Sequence, residues 1–244
     1  MAYALLTSLA LGGNYIFNVI HARKMVGFTL VKLKIRKHIK PIVFIAGIIF
    51  MSTIYNKIDI TMLSALSTDE AVGYYSYAQR TVNIVLTMCS AVTAIFLPRL
   101  SYYYDNEKAV FYKLMDKGFQ ILCLGVVPLA VGLFLTANQA VVLLYGDSFT
   151  PTGTTIKLMC PLILIKGFGD LLCYQLAYSS KNEYILLPGS AIASIINVIT
   201  NSILIPLYAQ NGAVIASVMS ELTTNIIQFL YLKRKIKYLS LIHI

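Results

Sequence analysis

Residues 54–80 read IYNKIDITMLSALSTDEAVGYYSYAQR. Two apolar runs meet there at a short acidic turn, STDE at 67–70, and Lys57, Asp59 and Arg80 lie inside segments otherwise suited to lipid. An ionisable side chain in hydrocarbon costs at least ~2–3 kcal/mol on insertion scales, so it faces a bundle interior or a watery cavity and marks a substrate or ion path. The rest of the chain is read around these three residues.

The surrounding composition sets the class. Of 244 residues, 58% are hydrophobic and 12% charged, against an apolar share of about 45–50% in soluble domains. The chain reads as an all-α, polytopic transmembrane helix bundle. Runs of about 20 apolar residues, each long enough to cross ~30 Å of hydrocarbon, recur at about 3–20, 41–66, 74–97, 118–136, 153–178, 184–205 and 212–232, giving seven spans. Cys89, Cys123, Cys160 and Cys173 all fall in apolar segments without CxxC or histidine spacing, so neither a disulfide framework nor a metal site is expected.

The formal charge of +10 suggests nucleic acid only until the charges are placed. Arg23, Lys24, Lys32, Lys34, Arg36, Lys37 and Lys40 fill the connector after the first span. Arg99, Lys108, Lys113 and Lys117 follow the third span, Lys181 the fifth, and Lys233, Arg234, Lys235 and Lys237 the last. All sixteen fall on one side, while the loops STDEAVG, NQAVVLLYGDSFTPT and LYAQN on the other side hold no Lys or Arg. By the positive-inside rule the basic side and the C-terminus are cytoplasmic. The charge therefore reports topology and contact with anionic lipids, and no nucleic-acid partner is expected. Seven spans ending inside require the first to start outside with only Met1 and Ala2 ahead of it, so further spans are expected before Met1.

A seven-helix receptor or rhodopsin shares the outline, but the last span, GAVIASVMSELTTNIIQFLYL, has no lysine for a retinal Schiff base. A membrane enzyme working on the outer face would need catalytic groups in the outer loops, where only Asp69, Glu70 and Asp147 are ionisable. No catalytic residues and no cofactor are assigned.

The run DITMLSALSTDEAVGYYSYAQR resembles the central signature of Wzx-type oligosaccharide flippases, polysaccharide biosynthesis proteins of the MATE and MOP superfamily. FLPRLS, VVLLYGDSFTP and INVITNSILIPLYAQNGAVIAS follow in the same order, so the resemblance covers about residues 40–237. It implies a two-lobed transporter of about twelve or more helices that moves an undecaprenyl-diphosphate-linked oligosaccharide across the bacterial inner membrane by alternating access, alongside polysaccharide polymerase and chain-length proteins. This chain would then be the C-terminal lobe plus one helix, lacking about five N-terminal spans. Residues 1–40 would form a span and a basic cytoplasmic connector, 41–238 the six-helix lobe, and 239–244 an atypical tail.

A lipid diphosphate crossing the bilayer needs cations for phosphate and polar groups for sugar hydroxyls. Arg80 and Lys57, at similar depth on adjacent antiparallel helices, are the phosphate candidates, and Lys57 alternatively snorkels to the interface. Asp59 is placed to pair across to Arg80, as a structural bridge or a gate. Lys166 and Asp170, four apart on one face, either neutralise each other as a structural pair or serve in gating or ion coupling. Glu221, with Asn225 and Gln228 on nearby faces, is either a proton or cation coupling site or a protonated, hydrogen-bonded acid. Asn197 and Asn201 form a polar stripe that meets sugar or joins helices. Tyr74, Tyr75 and Tyr77 are candidates to stack on sugar. The alternatives are a membrane enzyme of envelope polysaccharide synthesis and a multidrug or cation antiporter of the same superfamily; the antiporter's cavity should be rich in carboxylates, whereas these spans hold Lys57, Arg80, Lys157 and Lys166 against Asp59, Asp170 and Glu221.

Overall fold

The computed structural model describes residues 2–25, 39 and 57–235. The chain divides into two compact units, Met1–Met51 and Ser52–Ile244. The first contributes α1 (Ala2–Met25), 24 residues and so about 36 Å of helix, enough to span hydrocarbon. The basic connector beyond Met25, most of the 41–66 span and the tail lie outside the described residues.

The second unit is a bundle of helices. Residues 57–66 (α2) are helical and turn at 67–68 into α3 (Asp69–Ala94). Thr68 makes that turn because its hydroxyl accepts from the Ala71 amide at 3.3 Å, while Asp69 and Glu70 lie in the first turn, where the helix dipole favours negative charge. A turn at 95–96 leads to the short α4 (Leu97–Asn106), with Pro98 in its first turn, where no amide proton is needed. α5 (Lys108–Tyr145) follows with 38 residues, about 57 Å. It exceeds the bilayer core, and its first turns carry Lys108, Lys113 and Lys117, the stretch left outside the 118–136 span. α5 also runs on to Tyr145, so the expected long loop after it shrinks to a 3₁₀ turn at Asp147–Phe149.

α6 (Pro151–Gly169) continues through a π-helical segment, Asp170–Gln175, into α7 (Leu176–Ser179). It runs close to α5: a Cβ on Gly153 would stand 2.3 Å from Asn138 Oδ1 and 3.2 Å from its Cα. Small residues allow such approaches, which carry much of the packing energy where lipid removes the hydrophobic drive between helices. At the other end of this span Lys181 Nζ donates to Asp105 Oδ2 at 2.7 Å. The Asp105 carboxylate raises the Lys181 ammonium above its ordinary value, so this clasp contributes fully below about 10.5 and is lost as pH climbs through the raised value. Both ends are exposed, so water screens the pair strongly.

α8 (Leu186–Lys235) holds the sixth and seventh spans and breaks at Ala209 (φ 48°, ψ −128°). Its two arms, about 186–208 and 210–235, run antiparallel: Gly189 sits against Gln228, Asn197 against Ser220, and Gly212 against the Leu204 backbone. Asn211 at the tip accepts from Thr155 of α6 at 3.0 Å. An alanine at positive φ is strained by roughly 1–3 kcal/mol, and glycine gives back less than ~1 kcal/mol through its freer unfolded chain. Ala209→Gly is therefore expected to raise the melting temperature in detergent, and Ala209→Val to lower it.

Among the described residues, Asp69–Asn106, Lys108–Tyr145 and Glu183–Lys235 are long and apolar enough to cross a membrane, the last folded back on itself. Large apolar side chains such as Leu124 and Leu143, 79% and 85% exposed, coat the outside, a surface that suits hydrocarbon rather than water. This is an all-α, multi-pass membrane protein.

Candidate functional site

The centre of the bundle is polar. Asp59 of α2 is 8% exposed and accepts four hydrogen bonds from three other places in the chain. Tyr75 Oη of α3 and Ser217 Oγ of the second α8 arm donate to Oδ2 at 2.9 and 2.6 Å. Asn197 and Asn201 of the first arm donate to Oδ1 at 3.1 and 2.7 Å. Asn201 Nδ2 also reaches Asn197 Oδ1 at 3.0 Å, and Asn201 Oδ1 is buried without a partner. Each neutral donor spreads the carboxylate charge without cancelling it, which is how a buried acid is held without a counter-ion.

Asp59 lines a cavity of about 50 Å³ shared by α2, α3, α6 and both arms of α8, with Gln79, Asn83, Lys166, Ser220 and Glu221 on its walls. Lys166 Nζ lies 3.6 Å from Glu221 Oε2, an ion pair beyond direct hydrogen-bond length. With both acids ionised the walls carry one more negative charge than positive, so the cavity attracts a cation. Its size admits a few waters or one ion at about 30 Å³ per water, far below the ~300 Å³ of a typical small-molecule pocket.

Several expectations are corrected here. Asp59 does not pair with Arg80: the guanidinium is exposed and sits 5.9 Å from the Tyr77 ring centroid, while neutral donors from other helices occupy the carboxylate. Lys57 is also exposed, and neither cation lines the cavity. Lys166 and Asp170 do not neutralise each other. Lys166 turns to Glu221 on α8, and Asp170, at the start of the π-helical segment, meets the Thr93 hydroxyl of α3. Spacing of four places two side chains side by side, but a partner on a packed neighbouring helix can be nearer in energy. Tyr75, bonded to Asp59 and 1% exposed, has no free face for sugar. Tyr74 and Tyr77 pack with Phe149 and Tyr145 in an aromatic cluster, Tyr77 at 4.7 Å from each of those two rings.

Asn197 and Asn201 stay together as a stripe, turned inward to the acid. Glu221 lies in the cavity, but its expected companions serve packing: Asn225 Nδ2 donates to the Ile165 carbonyl at 2.8 Å and Gln228 Nε2 to the Leu186 carbonyl at 3.2 Å. Sequence reasoning passed over Ser217, Ser220, Gln79, Asn83 and Thr93. For the α8 pair the signal existed: Ser217, Ser220, Glu221, Thr224, Asn225 and Gln228 recur at three and four residues along one stripe.

The ion pair can be weighed by itself. Lys166→Met should leave Glu221 unpaired and lower stability by about 2 kcal/mol, less than the ~3–5 kcal/mol for a fully buried pair because the lysine is about one-third exposed. Lys166→Met with Glu221→Gln should recover most of that loss, which a double-mutant cycle on melting temperature would read.

A family model described as polysaccharide biosynthesis protein matches residues 1–153, more than half of the chain. The chain belongs to that family. Two curated proteins of Haloferax volcanii are similar to the chain. One, named a probable low-salt glycan biosynthesis flippase, Agl15, is 23% identical over 184 residues, 73% of this chain and 38% of its own length. The other, named a probable flippase, AglR, is 23% identical over 172 residues, 68% of this chain and 35% of its own length. The chain thus spans little more than a third of the length of these relatives.

Proposed function

We propose that this chain is the C-terminal lobe, with one further helix, of a flippase that carries an undecaprenyl-diphosphate-linked oligosaccharide across the bacterial inner membrane by alternating access, with its C-terminus in the cytoplasm. The substrate and membrane come from the resemblance of residues 40–237. The transport reading is supported by the family and by relatives named as probable flippases. The observation that carries the mechanism is a buried acid, Asp59, held by neutral donors inside a bundle whose outside suits lipid. An uncompensated carboxylate at that depth serves as an ion-coupling group. Asp59 and Glu221 take up a proton or a monovalent cation, and Lys166 offers Glu221 an internal alternative. The headgroup binds elsewhere: Arg80 and Lys57, exposed on the lobe, are the cations offered to the diphosphate, and the small, net negative cavity is left to the coupling ion.

A carboxylate-rich cavity also fits an antiporter of cations, the second reading. Deleting the parent gene should make lipid-linked oligosaccharide accumulate on the cytoplasmic face of the membrane, and the full-length gene should relieve it. Arg80→Ala in that gene should restore translocation poorly, by tenfold or more below wild type if one charge-assisted contact of about 1.5–3 kcal/mol is lost. Unchanged lipid-linked sugar with new sensitivity to cationic compounds would transfer the assignment to the antiporter.

A further inference from the structure

The π-helical segment Asp170–Gln175 interrupts the span that starts at Pro151, and π turns inside α-helices occur mostly at functional sites. None of its residues lines the Asp59 cavity. Leu172 and Cys173 instead line an apolar groove of about 510 Å³ between α6 and the second arm of α8, within the ~300–1,000 Å³ of sites that take a small molecule. Gly169 and Asn225 meet along it: the absent side chain leaves room for Asn225, whose Nδ2 donates to the Ile165 carbonyl at 2.8 Å. The walls are otherwise apolar, with Phe168 and Leu172 on one side and Leu222, Ile226 and Phe229 on the other.

Position along α8 fixes what the groove meets. Leu222 lies 11 residues past Asn211 at the hairpin tip, about 17 Å of helix, so the groove begins near mid-bilayer and runs toward the basic end of the bundle. From Leu222 to Leu230 it extends about 12 Å, most of the ~15 Å of hydrocarbon in one leaflet. Leu222, Ile226 and Phe229 recur at four and three residues, and the next position on that stripe is Lys233, exposed and one turn further on. Arg234 and Lys235 follow, and among the described residues none of the three enters an ion pair. An apolar channel of one leaflet's depth that ends at an unpaired cation has the polarity of an anionic lipid, chain first and phosphate last. Its rim residues Leu222, Ile226 and Leu230 are exposed, so the groove is open along the side of the bundle that meets hydrocarbon.

We propose that this groove between α6 and α8 is a binding site for an anionic phospholipid of the leaflet at the basic end of the bundle, with an acyl chain in the groove and the phosphate at Lys233. Ile165 and Leu222 line the groove while the adjacent Lys166 and Glu221 line the cavity, so the chain seats against the same two helices that the ion pair joins. This does not rest on what the protein transports.

The chain has no tryptophan, so Phe229→Trp places a single fluorescent reporter in the groove. The full chain is reconstituted in vesicles of phosphatidylcholine and phosphatidylglycerol in which one lipid or the other carries brominated acyl chains, which quench tryptophan on contact. Quenching should show phosphatidylglycerol preferred by about fivefold, the discrimination of one basic side chain at an anionic surface, and Lys233→Gln should abolish that preference. Leu124→Trp, exposed on α5 and about 10 Å along the helix from Lys117, reports the general attraction of anionic lipid to the basic end and should show little preference. Equal preference at the two reporters, or a groove preference unmoved by Lys233→Gln, would overturn the site. Quenching by neither lipid would overturn it too, since protein would then cover the groove. Leu230→Trp, on the exposed rim, is read in the same way should Phe229→Trp not fold.

Discussion

Asp59→Ala is expected to be the most damaging single change in the polar centre. It removes the acceptor for Tyr75, Ser217, Asn197 and Asn201 at once, leaving four donors from α3 and both arms of α8 facing one another beside a cavity with room for only a few waters. Breaking a buried charged network in this way costs about 3–5 kcal/mol, whereas Ser217→Ala, which deletes one donor to a charged acceptor, should cost about 1.5–3 kcal/mol. Asp59→Asn should fall between, since its carbonyl keeps one acceptor while its amide opposes the remaining donors. The chain has no tryptophan, but Cys89, Cys160 and Cys173 are buried and free, so a thiol-reactive dye reports unfolding directly. The ranking Ala, then Asn, then Ser217→Ala in loss of melting temperature is the expected result. Equal melting of Asp59→Ala and wild type would mean that the four donors do not depend on the acid. Translocation by the full-length Asp59→Asn protein should also lose its dependence on the coupling ion.

Gly212→Ala should be comparably severe for a different reason. A Cβ there would stand 2.1 Å from the Leu204 carbonyl oxygen, 2.5 Å from its carbon and 3.0 Å from the Ile205 nitrogen. These are backbone atoms of the opposing arm and cannot rotate away. The hairpin would have to open, separating Asn197 from Ser220 and drawing Asn201 off Asp59. A loss of more than ~4 kcal/mol, or failure to accumulate in the membrane, is expected. Gly132→Ala is the control, because nothing lies within 4 Å of its added carbon; alanine's better helix propensity should leave it level with wild type or up to ~1 kcal/mol more stable. If both alanine variants melt together, the close approach at 212 is not what holds the hairpin.

Much of the architecture was legible because lipid imposes it. Runs of apolar residues near twenty long have to be helices when backbone groups find no water, and the described parts of the spans fall where those runs lie. The turn at 67–68 was readable from its acidic residues, and the reversal after 205 from the break between apolar runs at LYAQN. The residue that takes the positive φ was not readable. Gly212 is committed to the close approach with Leu204, so the reversal falls on Ala209, which no propensity would select.

Partners inside the bundle were the hardest to read. Lys166 has Asp170 one turn away and Glu221 on another helix, and sequence spacing reports only the first. The same limit hid Ser217 and Thr93: a hydroxyl that answers a carboxylate from a different helix has no signature along the chain. Asp59 itself was legible because charge in an apolar run is rare whatever its partners.

The separations within the Asp59 cluster bear on how the protein is made. Tyr75 follows the acid by 16 residues, but Asn197, Asn201 and Ser217 follow it by 138, 142 and 158. During synthesis α2 reaches the translocon long before the helices that will hold its carboxylate. Asp59 must therefore enter the bilayer protonated, or wait in the company of Tyr75 and water, until the α8 hairpin arrives. The last two spans thus complete the membrane insertion of an acid laid down near the start of the bundle, and a ribosome stalled before residue 197 would leave that acid unsatisfied in lipid, a ready mark for membrane quality control.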